Sequence, residues 1–383
     1  MKVPFFRLSF SKEEKKEVAD VLKTGWVTSG PKVNLLEKQI IKITGAHYAA
    51  ALSSGTAGLH LVLESLGIGE GDEVITTPFT MAATVEAIMY TGARPVLVDI
   101  DPVSMNIDPA AVEKKISKKT KAVISVDIAG CPCDYTGLKK ITRKHKLFLI
   151  TDAAHSLGAK YNGQPIGSIA HSTIFSFYST KNITTGEGGM VVSNRKRLID
   201  RVRHLSLHGM TSSGWKRYRG GSWRYDITDL GYKYNMSDLS AALGVGQMRR
   251  FKNLKKKRLQ LALQYFKNFK SMTDIIELPY YRDFNEHSWH LFIIRIIPER
   301  WKIRRDRLIE ELEKAGVGCG VHFIPVYQLS YFKNELGYSG TDFPNCENTF
   351  KCVISLPFYP DLKNAEADYV CDRLRILQDK FGK

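Results

Sequence analysis

The chain is predicted to have an α/β fold with a mainly parallel sheet, followed by a smaller α+β domain. In its first two-thirds, short apolar runs alternate with stretches whose apolar residues recur at helical spacing, which is the pattern of a parallel sheet covered by helices. Polar and ionisable residues follow several of these runs directly, and open α/β sheets bind ligands at the carboxyl ends of their strands. Near residue 250 the pattern changes to a long basic helix followed by mixed segments.

Seven apolar runs are the predicted strands of the large sheet, in chain order His47–Leu52, Glu73–Thr76, Pro95–Asp99, Lys121–Val126, Leu147–Thr151, Ser172–Phe177 and Gly189–Ser193. Helical patterns lie between them, as at Thr84–Tyr90, Asp108–Ile116 and Thr136–His145. In the second part, the strand-like segments Ser288–Ile297 and Gly318–Phe323 enclose the helical pattern Arg304–Ala315. We therefore expect a large domain over residues 1–250 and a small one over 251–383. The chain between them has no Pro/Ser-rich linker, so the two should pack closely.

The composition is that of an ordinary globular protein, with 43% hydrophobic and 25% charged residues among 383. The sequence has no apolar run of about 18 or more residues, so no membrane span is expected. The N-terminus has no apolar core of a secretory signal. The six cysteines are few and scattered, which favours reduced thiols and a cytoplasmic location. Cys131 and Cys133 are too close for the usual zinc pair, so no metal site is expected, and a redox role for this pair is the alternative.

The net charge of +17 would suit an enzyme of anionic substrates or a nucleic-acid-binding protein. One basic cluster, Arg249–Arg258, carries an apolar stripe at helical spacing, and its cations are expected on the solvated face. The other, Lys216–Arg224, is Gly-rich and aromatic, and part of it is expected to contact phosphate in a loop. No nucleic-acid-binding module accompanies either cluster, so no nucleic-acid partner is expected.

A lysine and an aspartate follow two of the predicted strands. Asp152 follows Phe148-Leu149-Ile150-Thr151, and Lys181 comes shortly after Phe175-Ser176-Phe177. Either residue alone would more simply be a strand-end aspartate or a surface lysine. Together at neighbouring strand ends they suit pyridoxal 5′-phosphate (PLP), because the amine can form a Schiff base with its aldehyde and the carboxylate can keep its ring nitrogen protonated.

A turn of small residues, Ser53-Ser54-Gly55-Thr56-Ala57-Gly58, joins the first predicted strand to a helical pattern. Such a turn could be an ordinary capped helix start. It also presents free backbone amides and the positive end of a helix dipole, which is a suitable site for a phosphate. A phosphate site, a carboxylate and a lysine in this order favour the PLP interpretation.

Together with several other segments, these features resemble the DegT/DnrJ/StrS family of PLP-dependent nucleotide-sugar aminotransferases. The resemblance covers nearly the whole chain and implies fold type I, the aspartate-aminotransferase fold, with seven large-sheet strands of which one is antiparallel. The matching segments are Gly25–Pro31, Ser54–Ala57, Thr151–His155, Ser176–Lys181 with Gly186–Gly189 after it, Gly231–Met236, Val321–Val326 and Ser355–Pro357.

The resemblance implies a role for each matched residue. Lys181, Asp152 and His155 would be catalytic, with His155 contacting the cofactor ring or supporting Asp152, unless it is an ordinary core histidine. Substrate-binding residues would be Thr28 and His322 by resemblance, together with Arg219 of the basic loop. The remaining cofactor contacts would be Gly55, Thr56, Ala57, Met81, Ser176 and Asn235, the last reaching the neighbouring subunit's phosphate site in a homodimer with shared active sites. The family has an aromatic residue where Met81 stands, and Phe79 is the alternative.

The implied reaction converts a UDP- or dTDP-linked 4-keto-6-deoxy sugar to the 4-amino sugar, with L-glutamate as donor. A dehydratase branch of the family has histidine at the lysine position, so Lys181 favours transamination. The 3-keto sugar aminotransferases remain an alternative, as do a PLP enzyme of another reaction and a non-enzymatic regulator that retains the fold. The matched segments around Thr28, Asn235 and His322 weigh against another reaction, and the Asp152–Lys181 pair weighs against a regulator.

Overall fold

The structure, a computed structural model, describes residues 1–211 and 223–383. Two helices, α1 (Lys12–Thr24) and α2 (Pro31–Thr44), precede the first strand. The Ser11 side chain caps α1, and the Glu14 side chain accepts a hydrogen bond from the Ser11 backbone amide. These contacts satisfy amides that the first turn of the helix leaves free. Gly25 and Gly45 end these helices in the left-handed conformation, which glycine adopts without steric cost.

The large sheet contains seven strands in the order β1-β9-β8-β5-β4-β2-β3. The strand β9 pairs antiparallel with β1 and with β8, and the other neighbouring pairs are parallel. The predicted α/β fold with seven strands, one of them antiparallel, is therefore confirmed. The strands of the first part, including a small hairpin of β6 and β7, are β1 (Tyr48–Leu52), β2 (Glu73–Thr76), β3 (Arg94–Leu97), β4 (Thr120–Val126), β5 (Phe148–Asp152), β6 (Lys160–Tyr161), β7 (Gln164–Pro165), β8 (Ser172–Ser176) and β9 (Gly189–Ser193).

Helices cover this sheet, and apolar clusters lie on both of its faces. Alternate residues of one strand point to opposite faces, so Ala49 and Ala51 of β1 belong to one cluster and Ala50 and Leu52 to the other. The helices are α3 (Gly55–Ser65), α4 (Ala82–Tyr90), α5 (Pro109–Lys115), α6 (Tyr135–Lys144), α7 (Lys196–Leu205) and α8 (Asp238–Arg249).

The second part begins with the long helix α9 (Phe251–Asn268), directly after α8. Its antiparallel sheet has the order β10-β11-β12 and packs with the flanking helices around an apolar cluster that includes Trp289 and Phe292. The proposed division at residue 250 falls between α8 and α9. The elements are β10 (Ile276–Glu277), β11 (Phe292–Ile296), β12 (Val353–Leu356), α10 (Arg305–Lys314), α11 (Ser330–Leu336), α12 (Pro344–Cys352) and α13 (Asn364–Phe381).

The strand predicted at Gly318–Phe323 is wrong, because this segment pairs only at isolated points. The Gly318 amide donates to the Val3 carbonyl, and Gly320 exchanges backbone hydrogen bonds with Ser355. These two contacts lie on different partners, so no continuous ladder forms. A fourth apolar cluster joins residues of both parts, among them Phe79, Val126 and Ile293, at the edge where the large-sheet strands end.

Among the helices of the described residues, none is long and apolar enough to span a membrane.

Candidate active site

A cavity of about 410 Å³ lies at the carboxyl edge of the large sheet. Asp152 is the last residue of β5 and Ser176 the last of β8, and these strands are parallel neighbours, so both side chains reach the same edge. Lys181 lies in the turn that follows β8, where its amide donates to the Tyr178 carbonyl at 3.0 Å. Eight of the predicted site residues line this cavity: Gly55, Thr56, Met81, Asp152, His155, Ser176, Lys181 and His322.

Asp152 is a buried carboxylate with two donors on it. Its Oδ2 accepts a hydrogen bond from the Thr84 hydroxyl at 2.8 Å, and its Oδ1 accepts one from the Ala154 amide at 3.1 Å. The Thr84 hydroxyl is itself 2.8 Å from that of Thr80. Burial raises the pKa of Asp152, while Thr84, the Ala154 amide and the charge of Lys181 lower it. Each carboxylate oxygen keeps a second lone pair, so Asp152 can still accept a proton donor from within the cavity.

Lys181 has an amine of unusually low basicity. Burial lowers its pKa to about 8, and the Asp152 carboxylate opposes this shift. Within residues 1–211 and 223–383 its Nζ donates no hydrogen bond to a protein atom. A larger fraction of neutral amine is therefore available at neutral pH than on an exposed lysine, as an attacking or proton-accepting amine requires.

Three histidines surround this amine, and all three are neutral. His155 accepts the Ala129 amide at Nδ1 over 3.3 Å, which leaves its proton on Nε2, and its ring stacks on Phe323. Burial and then the charge of Lys181 lower the pKa of His155 and of His322, that of His322 to about 4. Burial and then His155 hold the pKa of His290 well below its usual range. The cavity therefore has little positive charge besides Lys181, and the imidazoles serve as hydrogen-bonding groups.

His290 also holds the residue that follows the lysine. Its Nδ1 lies 3.0 Å from the Asn182 Oδ1, and both side chains are buried. His290 stands just before β11 in the second part of the chain, so this contact ties the Lys181 turn to that part.

The small-residue turn opens α3 at the cavity. Ser54 caps the helix, accepting the Ala57 amide on its hydroxyl at 3.0 Å. Gly55 lies against Ser176, where a Cβ would come within 3.2 Å of the Ser176 Cβ. A Cβ at Gly189, which pairs with both Ser176 and Leu52, would overlap the Ser54 carbonyl. The two glycines therefore allow β8, β9 and the helix start to meet closely around one corner of the cavity.

Met81 lines the cavity and is 58% exposed, whereas Phe79 is fully buried in the fourth apolar cluster. Of the two candidates for packing on the cofactor ring, Met81 is thus the one that faces the cavity.

Three further predicted residues are not among those that line the cavity. Ala57 is not among the lining residues, and its amide is taken by Ser54. Thr28 is exposed and accepts the Asp238 amide on its carbonyl. Asn235 donates to the Ser29 hydroxyl at 2.8 Å, and its buried Oδ1 has no hydrogen-bond partner in the described part of the chain. Arg219 lies outside the described residues.

Other lining residues did not stand out from the sequence. His290 interrupts an apolar run, a signal that could have marked it. Thr80 stands next to Met81, and Phe323 lies within the matched segment Val321–Val326, but neither has a pattern of its own. Thr84 does not line the cavity and contacts Asp152 instead. No group of three or more His, Cys, Asp or Glu residues in the described ranges could hold a metal ion.

The model of the DegT/DnrJ/EryC1/StrS aminotransferase family matches residues 9–375. The chain belongs to this family. It is 41% identical over 375 residues to the spore coat polysaccharide biosynthesis protein SpsC of Bacillus subtilis, covering 97% of this chain and 96% of that protein. The PLP form of the putative sugar aminotransferase Spr1654 from Streptococcus pneumoniae has a TM-score of 0.91 and 34% identity, with 99% of each chain covered. Helicobacter pylori PseC, an aminotransferase of pseudoaminic acid biosynthesis, has a TM-score of 0.92 and 28% identity over the full length of both chains.

Membership in the DegT/DnrJ/EryC1/StrS aminotransferase family confirms the predicted family, fold class and enzyme class, a PLP-dependent sugar aminotransferase. The predicted cofactor, PLP, is confirmed with them. The residues present fit this group. Three groups face one cavity: a buried carboxylate with free lone pairs, an amine without a hydrogen bond among the described residues, and a helix N-terminus. They match, in that order, the ring nitrogen, the aldehyde and the phosphate of PLP.

Proposed function

We propose that this enzyme converts a nucleotide-diphospho 4-keto-6-deoxyhexose, with UDP or dTDP as the nucleotide, to the 4-amino sugar with L-glutamate as amino donor. The observation that best supports a transamination reaction is that Asp152, Lys181 and the start of α3 line one cavity. The position of the new amine on the sugar rests on the resemblance of Gly231–Asn235 to the same segment of enzymes that form 4-amino sugars. The 3-keto sugar remains the second candidate.

PLP, when bound, holds the amino group between the two half-reactions and withdraws electrons from the carbon that loses its proton. Asp152 would hold a proton at the ring nitrogen, and Thr84 and the Ala154 amide orient its carboxylate for that contact. The low pKa of Lys181 lets its neutral amine attach the cofactor. When it is no longer bonded to the cofactor, the same amine would take a proton from the substrate carbon that carries the transferred nitrogen. It would then give a proton to the cofactor carbon on the other side of that nitrogen.

The phosphate would lie at the start of α3, against the amides of Gly55 and Thr56 and the Ser176 hydroxyl. The Ala57 amide would reach a phosphate only by leaving Ser54. Met81 would pack against the cofactor ring, and His155 could donate a hydrogen bond from its Nε2 to an oxygen of the ring.

We further propose a cytoplasmic homodimer in which Asn235 completes the partner's phosphate site. Asn235 does not line the cavity of its own chain, and its Oδ1 is buried without a partner among the described residues. Exposed apolar side chains lie in the same stretch of chain, with Ile227 57% and Leu230 92% exposed. Such a surface suits a two-fold interface.

The substrate is tested by formation of 2-oxoglutarate from L-glutamate with a panel of UDP- and dTDP-linked 4-keto and 3-keto sugars. Product mass and NMR then give the position of the new amine. We expect turnover with a 4-keto sugar and an amine at C4. Amination only at C3, or only of free keto acids, would refute the substrate while leaving the cofactor assignment intact.

The shared site is tested by mixing Lys181→Ala chains with Asn235→Ala chains. In a heterodimer with shared sites, one site carries both changes and the other carries neither, so activity should partly return. No recovery after verified subunit exchange would show that each chain completes its own site.

A further inference from the structure

A second, small void lies beside Lys181, and its lining is unusually positive. It has a volume of about 30 Å³, and its lining residues include Arg7, Lys181 and Arg258. No Asp or Glu is among its described lining residues. A void needs roughly 10–15 Å³ to hold a water molecule, so this one accepts a water or an ion of similar size. It shares Phe6 and Lys181 with the main cavity.

Two of the three cations already have a carboxylate nearby. Arg7 donates to Glu366 over 3.1 Å, and the charge of Lys181 interacts with Asp152. Arg258 differs from both. It lies on α9, is only 3% exposed, and forms no ion pair with a described carboxylate. Burial lowers its pKa to about 10, so it remains charged at neutral pH.

The hydrogen bonds of Arg258 leave donors unused. Its Nη1 donates to the carbonyls of Trp289 and His290, at 3.3 and 3.0 Å, and its guanidinium lies over the ring of Phe358. Its buried Nε has no partner, and its Nη2 makes no hydrogen bond to the described chain. Burying a cation without a counter-charge lowers the stability of the folded state, and each unpaired donor lowers it further. Arg258 is one of the residues that line the void, so an occupant that is negative and accepts hydrogen bonds would offset both costs.

We infer that this void is a small-anion subsite, in which Arg258 binds a halide-sized ion or a single carboxylate group. Ser179 supplies a second donor, since its hydroxyl makes no hydrogen bond in residues 1–211 and 223–383. The other lining residues include the apolar Leu254 and Pro360 and the polar Asn182 and Gln247. The anion has two possible sources. It is either a free inorganic ion, or a carboxylate of the amino donor that enters past Lys181, and this second source rests on the proposed function.

The test uses bromide as the probe on the holoenzyme. Crystals soaked in sodium bromide are expected to show an anomalous peak next to the Arg258 guanidinium. In solution, bromide exchanged for gluconate at constant ionic strength is expected to raise the melting temperature, because an ion that binds only the folded state stabilises it. Lys256→Gln removes the same charge from an exposed position of the same helix, and this variant should keep the bromide effect. Arg258→Gln should lose it.

If Arg258→Gln fails to fold, Ser179→Ala serves in its place, and its bromide dissociation constant should rise severalfold. Soaking bromide crystals with L-glutamate separates the two sources. Loss of the peak would identify a donor carboxylate as the occupant, and an unchanged peak would identify a free anion. Absence of any peak in the wild-type crystals, or an equal bromide effect in Arg258→Gln and Lys256→Gln, would overturn the subsite. A failure of sugar turnover in the preceding assay would leave the bromide result standing.

Discussion

Replacing Asp152 with Asn should make Lys181 still less basic. Burial lowers the pKa of the Lys181 amine to about 8, and the Asp152 carboxylate holds it up against that effect. Asn has nearly the same shape and can still meet Thr84, so the main loss is the negative charge. The pKa of Lys181 should therefore fall below about 8 in the variant.

The fraction of Lys181 that is neutral in the wild type follows from its pKa. With a pKa of about 8, roughly 9% of Lys181 is neutral at pH 7, compared with roughly 0.03% for a lysine of ordinary pKa, a difference of about 300-fold. The neutral fraction rises as pH increases through the pKa, so reactivity should reach its plateau near pH 9 rather than above pH 11. In Asp152→Asn the plateau should begin at a still lower pH.

The assay is competitive labelling of the cofactor-free protein with trace acetic anhydride between pH 6 and 11, with each lysine quantified by mass spectrometry. The exposed Lys256 on α9 provides an internal control in the same sample. A midpoint near 10 for wild-type Lys181 would refute the argument from burial. A midpoint that rises in Asp152→Asn would refute the inferred role of the carboxylate.

Three further outcomes are expected. Thr84→Val keeps the side-chain shape and removes the 2.8 Å hydrogen bond to Asp152. The dissociation constant of PLP, measured by equilibrium dialysis, should therefore rise about tenfold or more. An unchanged constant would show that this hydroxyl does not orient the carboxylate. Gly189→Ala places a Cβ on the Ser54 carbonyl and should lower the free energy of unfolding by about 1–3 kcal/mol with loss of bound PLP, whereas wild-type stability would contradict the close approach. His322, with a pKa of about 4, is neutral when folded, but its unfolded form takes up a proton near pH 6.5. As pH falls from about 6.5 to about 4, the free energy of unfolding should therefore decrease by up to about 3 kcal/mol through this group. Urea unfolding across that pH range should show a smaller decrease for His322→Gln than for the wild type.

The strands of the large sheet carry a local signal in the sequence. The apolar runs identified all seven strands of the large sheet, because a buried parallel strand needs a continuous apolar segment. The bounds differ by a residue or two, as at β3, which begins at Arg94 rather than Pro95. Gly318–Phe323 was misassigned because its residues have strand-like character while its partners, Val3 and Ser355, lie far away along the chain. Nothing in the local pattern distinguishes a ladder from two separate bridges.

For the candidate site, the residues that follow strands were predictable and those that act from a distance were not. Asp152, Ser176 and Lys181 could be placed at one edge because the order of parallel strands brings their ends together. His290 lines the same cavity from the second part of the chain, and Thr84 reaches it only through its hydrogen bond to Asp152. A contact between segments more than 60 residues apart leaves no local pattern.

By itself the sequence determined the fold class, the family resemblance and the likeness of Asp152 and Lys181 to a cofactor pair, because each depends on residue type and local order. Only the tertiary structure decided which groups share the cavity and in what protonation state. Burial lowers the pKa of Lys181 to about 8 and leaves Arg258 charged without a described carboxylate beside it, and burial is a property of the packed chain. The tertiary structure also decided that Met81 lies at the cavity while Phe79 is buried in the fourth apolar cluster, although both belong to the turn between β2 and α4.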